Sequence, residues 1–192
     1  MANVCVITGG GSGMGFEAAK FMPKDKIIVL SGRTVKKLEG AVEFLTGLGY
    51  TAYAKACDTS NRESVRELAE FAASLGEVKN VINSAGVSPA MKGTPEGILR
   101  INALGTVYVN QEFSKVMNPG SVIVDVSSNS AYILPSFIIP KKVLSACGNG
   151  RSDLPCEARE KIEDGERRIS AEGFCIFVVE ELRGMVREEM RV

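Results

Sequence analysis

The residues best suited to chemistry come first in the chain. Thr8-Gly9-Gly10-Gly11-Ser12-Gly13-Met14-Gly15 follows the apolar run Val4–Ile7, and Gly9, Gly13 and Gly15 give the spacing Gly-x-x-x-Gly-x-Gly. A backbone without side chains can bend sharply and approach a pyrophosphate, whose charge is favoured at the start of the helix that follows. The stricter Gly-x-Gly-x-x-Gly pattern is not matched, so the inference rests on the strand–loop–helix setting. In that setting phosphate binding by the loop, Ser12 and Met14 included, is a better account than a merely flexible turn.

Three further clusters follow apolar runs. After Ile27–Leu30 comes Ser31-Gly32-Arg33, where dinucleotide folds place an acid for the ribose hydroxyls. No carboxylate is there, and Arg33 suits a 2′-phosphate, which favours NADP over NAD; a solvated surface arginine is the alternative. Asp58, in Ala56-Cys57-Asp58, is either an acceptor for the adenine amine or a loop acid near a helix start. In Asn83-Ser84-Ala85-Gly86 the small residues Ala85 and Gly86 leave room for a ribose, while Asn83 either ties neighbouring strands together or touches the cofactor. Asn102 lies beside the apolar stripe Ile98, Ile101, Gly105, Val109 and Phe113. It is either a core amide satisfied by backbone or the holder of a water chain. Ser127-Ser128 ends the run Ser121–Val126.

These clusters need elements to hold them. Strands are expected at Val4–Ile7, Ile27–Leu30, Thr51–Lys55, Val78–Ile82 and Ser121–Val126. Between them come a helix over Gly13–Met22 stopped by Pro23, a second capped by Thr34, and a third behind a Ser60/Glu63 capping box. A long helix starts at Thr94-Pro95-Glu96. Strands alternating with helices mean right-handed crossovers and a parallel sheet covered on both faces, a three-layer α/β/α Rossmann-type doubly wound fold. The carboxyl ends of the first, fourth and fifth strands then open onto one crevice at the switch point, where the glycine loop, Asn83–Gly86 and the two serines converge. Later segments are weaker: apolar Leu134–Val143, a loop over Gly148–Pro155, a charged helix over Cys156–Ser170, a strand at Phe174–Val179 and a charged helix over Glu181–Arg191.

Composition narrows the class. Net charge is zero, 23 basic against 23 acidic residues, which favours neither a nucleic-acid backbone nor an anionic membrane. No apolar run is long enough to span a bilayer, and MANVCVITGGG reads as a strand rather than a signal peptide. Five cysteines without Cys-x-x-Cys spacing argue against a disulfide framework or zinc site and for a cytoplasmic location. With no histidine there is no imidazole metal site, no metal is expected, and proton transfer needs another group.

Taken together, these motifs resemble the short-chain dehydrogenase/reductase family. TGGGSGMG looks like its cofactor loop, NSAG like its Asn-Asn-Ala-Gly motif, RINALGT like the segment with its catalytic Asn, and VIVDVSSNS like its serine strand. The resemblance covers roughly the first two-thirds of the chain. It implies an NAD(P)-dependent oxidoreductase that moves a hydride between nicotinamide and a small-molecule alcohol or carbonyl substrate, with Ser128 orienting the substrate and Asn102 in a proton relay. The family's Tyr-x-x-x-Lys pair is absent: Tyr50, Tyr53, Tyr108 and Tyr132 are followed four positions later by Ala54, Cys57, Glu112 and Ser136. Of the two helices through which relatives form homo-oligomers, only the Asn102 helix is present. The expectation is an NAD(P)-binding domain over residues 1–146, an atypical segment over 147–192, and a truncation or frame change near Ser170. A non-catalytic dinucleotide-binding module or an inactive truncated fragment is the alternative.

Overall fold

The computed structural model of the protein describes residues 2–87 and 94–127. Its central strand, β1 (Asn3–Thr8), sends Val4 and Val6 into one core and Cys5 and Ile7 into another. A strand apolar on both faces belongs inside a sheet with helices on each side. β2 (Ile27–Gly32) repeats the pattern, with Val29 on one face and Ile28 and Leu30 on the other. With β3 (Thr51–Ala56), β4 (Glu77–Asn83) and β5 (Val122–Asp125) they form a five-stranded sheet in the order β3-β2-β1-β4-β5, and every pairing is parallel.

Helices α1 (Gly13–Ala19) and α2 (Val35–Gly47) cover one face through Ala19, Leu38, Ala41 and Leu45. The opposite face is covered by α3 (Arg62–Leu75) through Val65, Leu68, Ala69 and Ala72, and by Val109 and Phe113. This is the three-layer α/β/α arrangement that alternating strands and helices require. Two groups of residues are distinguished: 2–86 with 108–126, which holds the sheet and both cores, and a second group containing 87 and 94–107.

Several local expectations are corrected. The α1 helix ends at Ala19 rather than Met22, because the amides of Lys20, Phe21 and Met22 bond to carbonyls three residues back and form tight turns up to Pro23. The cap of α3 is Asn61, whose Oδ1 accepts from the amides of Glu63 (2.9 Å) and Ser64 (3.2 Å). Ser60 is instead engaged with Asp58, so the Ser60/Glu63 box does not form. Thr34 occupies the N-cap of α2 in extended conformation, but its hydroxyl makes no capping bond.

The expected long helix is interrupted. It begins as α4 (Pro95–Leu99), where Thr94 Oγ1 accepts from the Gly97 amide at 3.1 Å, and passes through a π-helical turn over Arg100–Leu104 before α5 (Gly105–Ser114). In the turn the Gly105 amide bonds to the Arg100 carbonyl five residues back, and the Thr106 hydroxyl donates to the Asn102 carbonyl at 2.8 Å. Such bulges often mark functional positions, and this one carries Asn102. Ser128 and the segments expected between Leu134 and Arg191 lie outside the described residues.

Candidate dinucleotide site

Thr8 closes β1, and its side chain is fully buried. Its hydroxyl donates to Asn83 Oδ1 at 2.7 Å and accepts from the Ala85 amide at 3.1 Å, while its carbonyl accepts from Ser84 Oγ at 2.6 Å. Asn83 Nδ2 in turn donates to Asp125 Oδ1 at 2.8 Å, and the other oxygen of Asp125 accepts from Asn110 Nδ2 at 3.1 Å. The carboxyl ends of β1, β4 and β5 are thereby fastened by one polar network. Leaving one such buried partner unmatched costs about 1–3 kcal/mol. Asn83 thus has the strand-tying role that was one of its two readings. Thr8, Ser84 and Asp125 were given no role of their own from sequence, although each lies inside a motif that was singled out.

The glycine loop packs directly on this network. A Cβ at Gly15 would lie 2.3 Å from Ser84 Oγ and 3.0 Å from the Gly9 carbonyl oxygen, and one at Gly9 (φ +66°) would lie 2.9 Å from the Ser84 carbonyl oxygen. Gly13 differs: its φ is +61°, yet nothing lies within 4 Å of where its Cβ would be. Gly9 and Gly15 therefore let two backbones meet, while Gly13 turns the chain beside open space. Ser12 and Met14 on either side are exposed, and the Ser12 side chain does not cap α1. Backbone turning beside open space, with no side chain filling it, is an arrangement a pyrophosphate fits.

On the other side of β1 the Gly10 amide donates to the Ser31 carbonyl at 3.0 Å, and the Cys57 amide donates to the Gly32 carbonyl at 3.1 Å. These bonds bring the loop, the Ser31–Arg33 turn and Cys57-Asp58 to one edge of the sheet. Arg33 is exposed and pairs with no carboxylate among the described residues. Asp58 Oδ1 accepts from both the amide (3.0 Å) and the hydroxyl (2.8 Å) of Ser60, a local turn that uses one carboxylate oxygen. Burial pushes the Cys57 thiol up from its ordinary range, against its hydrogen bond to Ser64, which disfavours the thiolate.

In the second group, Asn102 Oδ1 accepts from the Val87 amide at 2.9 Å and its Nδ2 donates to the Val87 carbonyl at 2.8 Å. The amide is satisfied by backbone, and Val87 directly follows the Asn83–Gly86 turn in the chain. The described tyrosines have other duties. Tyr50 is buried with its hydroxyl donating to the Lys20 carbonyl at 2.5 Å, Tyr108 packs against the core around Phe113, and Tyr53 is exposed on β3. Tyr132 lies outside the described residues.

The sequence model of the short chain dehydrogenases matches residues 3–138, most of the chain and all five strands. The chain belongs to the short-chain dehydrogenase family. It is 31% identical over 134 residues to the short-chain dehydrogenase/reductase bsc3 of Alternaria brassicicola, covering 70% of this chain and 48% of that protein. It is also 31% identical over 139 residues to a peroxisomal 2,4-dienoyl-CoA reductase of Arabidopsis thaliana, covering 68% of this chain and 47% of that one. Among solved structures, the apo form of LigD from Sphingobium sp. strain SYK-6 superposes with a TM-score of 0.62 at 31% identity, over 70% of this chain and 62% of that one. The chain spans about half the length of the curated relatives it matches.

Proposed function

We propose that this chain is the dinucleotide-binding part of an NAD(P)-dependent oxidoreductase, taking NADP ahead of NAD, that interconverts a small-molecule alcohol and carbonyl compound in the cytoplasm. The observation that carries the proposal is the glycine loop pressed onto the Ser84–Ala85 turn, with Gly13 beside open space at the switch point of the sheet. Ligands of open α/β sheets bind at that place. Family membership supports the reaction class, and the unpaired Arg33, with no acid beside it in Ser31-Gly32-Arg33, supports the 2′-phosphate.

The nicotinamide, when bound, supplies the hydride chemistry. The chain's part is to bind and orient. Backbone around Gly9, Ser12, Gly13, Met14 and Gly15 holds the pyrophosphate, Arg33 pairs with the 2′-phosphate, and Asp58 accepts from the adenine amine. Asn83, Ala85 and Gly86 form the floor for the nicotinamide-side ribose. Ser128 hydrogen-bonds the substrate oxygen, and Asn102, whose side-chain amide is engaged with Val87, supports the water relay as a positioning residue. General acid catalysis contributes about 10²–10⁴-fold, and no Tyr-x-x-x-Lys stands in this sequence to provide it. The chain by itself is therefore expected to bind NADPH but to reduce carbonyl compounds slowly. The test is NADPH consumption across a panel of aldehydes and ketones, with Ser128→Ala as control. Slow turnover abolished by that change supports the proposal, whereas turnover indifferent to Ser128 but lost in Tyr132→Phe overturns the assigned roles. Cofactor binding with no turnover favours a non-catalytic module.

A further inference from the structure

A row of polar side chains crosses three strands at the crevice. Thr8, Asn83 and Asp125 are register partners at the carboxyl ends of β1, β4 and β5, and Asn110 reaches the row from α5. Each bond in the row has a direction. The Thr8 hydroxyl gives its one hydrogen to Asn83 Oδ1, which leaves its lone pairs for the Ala85 amide. Asn83 therefore turns its oxygen toward Thr8 and its Nδ2 toward Asp125.

That direction does not come from Asn83 itself. Its amide has an acceptor and a donor at the end of one symmetric fork and fits the same space reversed. Reversed, it would offer hydrogens to Thr8, and the buried threonine hydrogen would have no acceptor within the row. An ionised carboxylate only accepts, so Asp125 admits one orientation of Asn83. Its two oxygens are taken by the neutral amides of Asn83 and Asn110, and no basic side chain pairs with it among the described residues. Asp125 acts here as an acceptor and not as half of an ion pair.

We propose that Asp125 is a positioning residue for the dinucleotide site. By accepting only, it fixes the direction of the Asn83 and Thr8 hydrogen bonds and so holds the Ala85 amide on β1. The proposal rests on the reading of this crevice as a dinucleotide site. The backbone it holds is the wall of the glycine loop, since a Cβ on Gly9 would lie 2.9 Å from the Ser84 carbonyl oxygen and 3.0 Å from the Ala85 nitrogen. Arg33 is not in the row, so the effect falls on NADPH and NADH alike.

The test compares the unaltered chain with Asp125→Asn, Asn110→Ala and the paired exchange of Asp125→Asn with Asn110→Asp. Hydrogen exchange at the Ala85 amide and titration with NADPH, NADH and 2′,5′-ADP are the readouts. Asp125→Asn keeps the shape but offers one acceptor to two donors. Ala85 should then exchange about tenfold faster, and both dinucleotides should bind about three- to tenfold more weakly. Binding of 2′,5′-ADP, which has neither pyrophosphate nor nicotinamide, should not change. Asn110→Ala leaves Asn83 its acceptor and should leave Ala85 protected. The paired exchange turns an acceptor back toward Asn83 and should restore protection and binding, and it decides the matter even if Asp125→Asn does not fold. Parent-like protection of Ala85 in Asp125→Asn, or a paired exchange that restores neither readout, overturns the proposal. An unaltered chain that binds neither dinucleotide overturns the reading of the site, while exchange at Ala85 still decides whether Asp125 sets the direction of the row.

Discussion

Gly15→Ala places a methyl group where two backbones meet. On an open helix the change should stabilise by up to about 1 kcal/mol, because alanine is the better helix former. Here the new Cβ would lie 2.3 Å from Ser84 Oγ and 3.0 Å from the Gly9 carbonyl oxygen. Ser84 can yield only by giving up its 2.6 Å bond to the Thr8 carbonyl, a loss of about 1 kcal/mol. The remaining overlap with the Gly9 backbone adds about 1–3 kcal/mol, the usual cost of overpacking. The net expectation is a loss of about 1–3 kcal/mol, with weaker NADPH binding because the loop is pushed off the β4 turn. Urea unfolding of the unaltered chain, Gly15→Ala, Ser84→Ala and the double variant checks this. Removing the Ser84 hydroxyl should relieve part of the clash, so the double variant should be more stable than the sum of single losses by about 1 kcal/mol. A Gly15→Ala chain as stable as the parent, or a cycle that is additive, would refute the close approach.

Glu112 offers a pH test, since its side chain is 3% exposed while those of Arg62 and Lys115 are about half exposed. Burial works to raise its pKa, but hydrogen bonds from Lys115 and Arg62 outweigh it and hold the carboxyl below its ordinary 4.5. A depressed folded-state pKa adds stability above the unfolded value that drains away as pH falls through the folded one. Glu112→Gln should lower neutral-pH stability by about 1 kcal/mol, given how exposed the partners are, and flatten the acid side of the stability curve in denaturation from about pH 7 to about pH 3. A curve of unchanged shape would contradict this. Asn102→Ala removes both partners of Val87. The Val87 amide should then exchange with solvent at least about tenfold faster by hydrogen-exchange NMR, and unchanged protection would show that the side chain does not hold that backbone.

The sheet was legible because its strands end in breaks that sequence displays, as at Thr8-Gly9 and Asn83-Ser84. The period of apolar residues gave α2 and α3 their buried faces, and Leu38, Leu45, Val65 and Leu68 are all in the core. Misplaced features were those decided by a single hydrogen bond. Asn61 and Ser60 are both good caps by type, and the commitment of Ser60 to Asp58 selects Asn61. Nothing in the spacing from Thr94 to Phe113 announces the π turn, since its one extra residue is absorbed where Thr106 bonds back to the Asn102 carbonyl. Thr8 and Asp125 were passed over because an isolated hydroxyl or carboxylate at a strand end has no pattern, and their partners lie 75 and 42 residues apart along the chain. The run Ser121–Val126 reads as a strand of a sheet covered on both faces, yet Val122 and Val124 on β5 are each 50% exposed. The roles of Asn102 and Ser128 in catalysis came from resemblance and stand as proposals.

The most direct measurement is a fluorescence titration of the purified chain with NADPH and, separately, NADH, repeated with Arg33→Ala. Saturable binding of both, tighter for NADPH and brought toward the NADH value by Arg33→Ala, is the predicted result. Binding of neither by a chain that circular dichroism shows to be folded would contradict the claim that the glycine loop and the Asn83–Gly86 turn form a dinucleotide site.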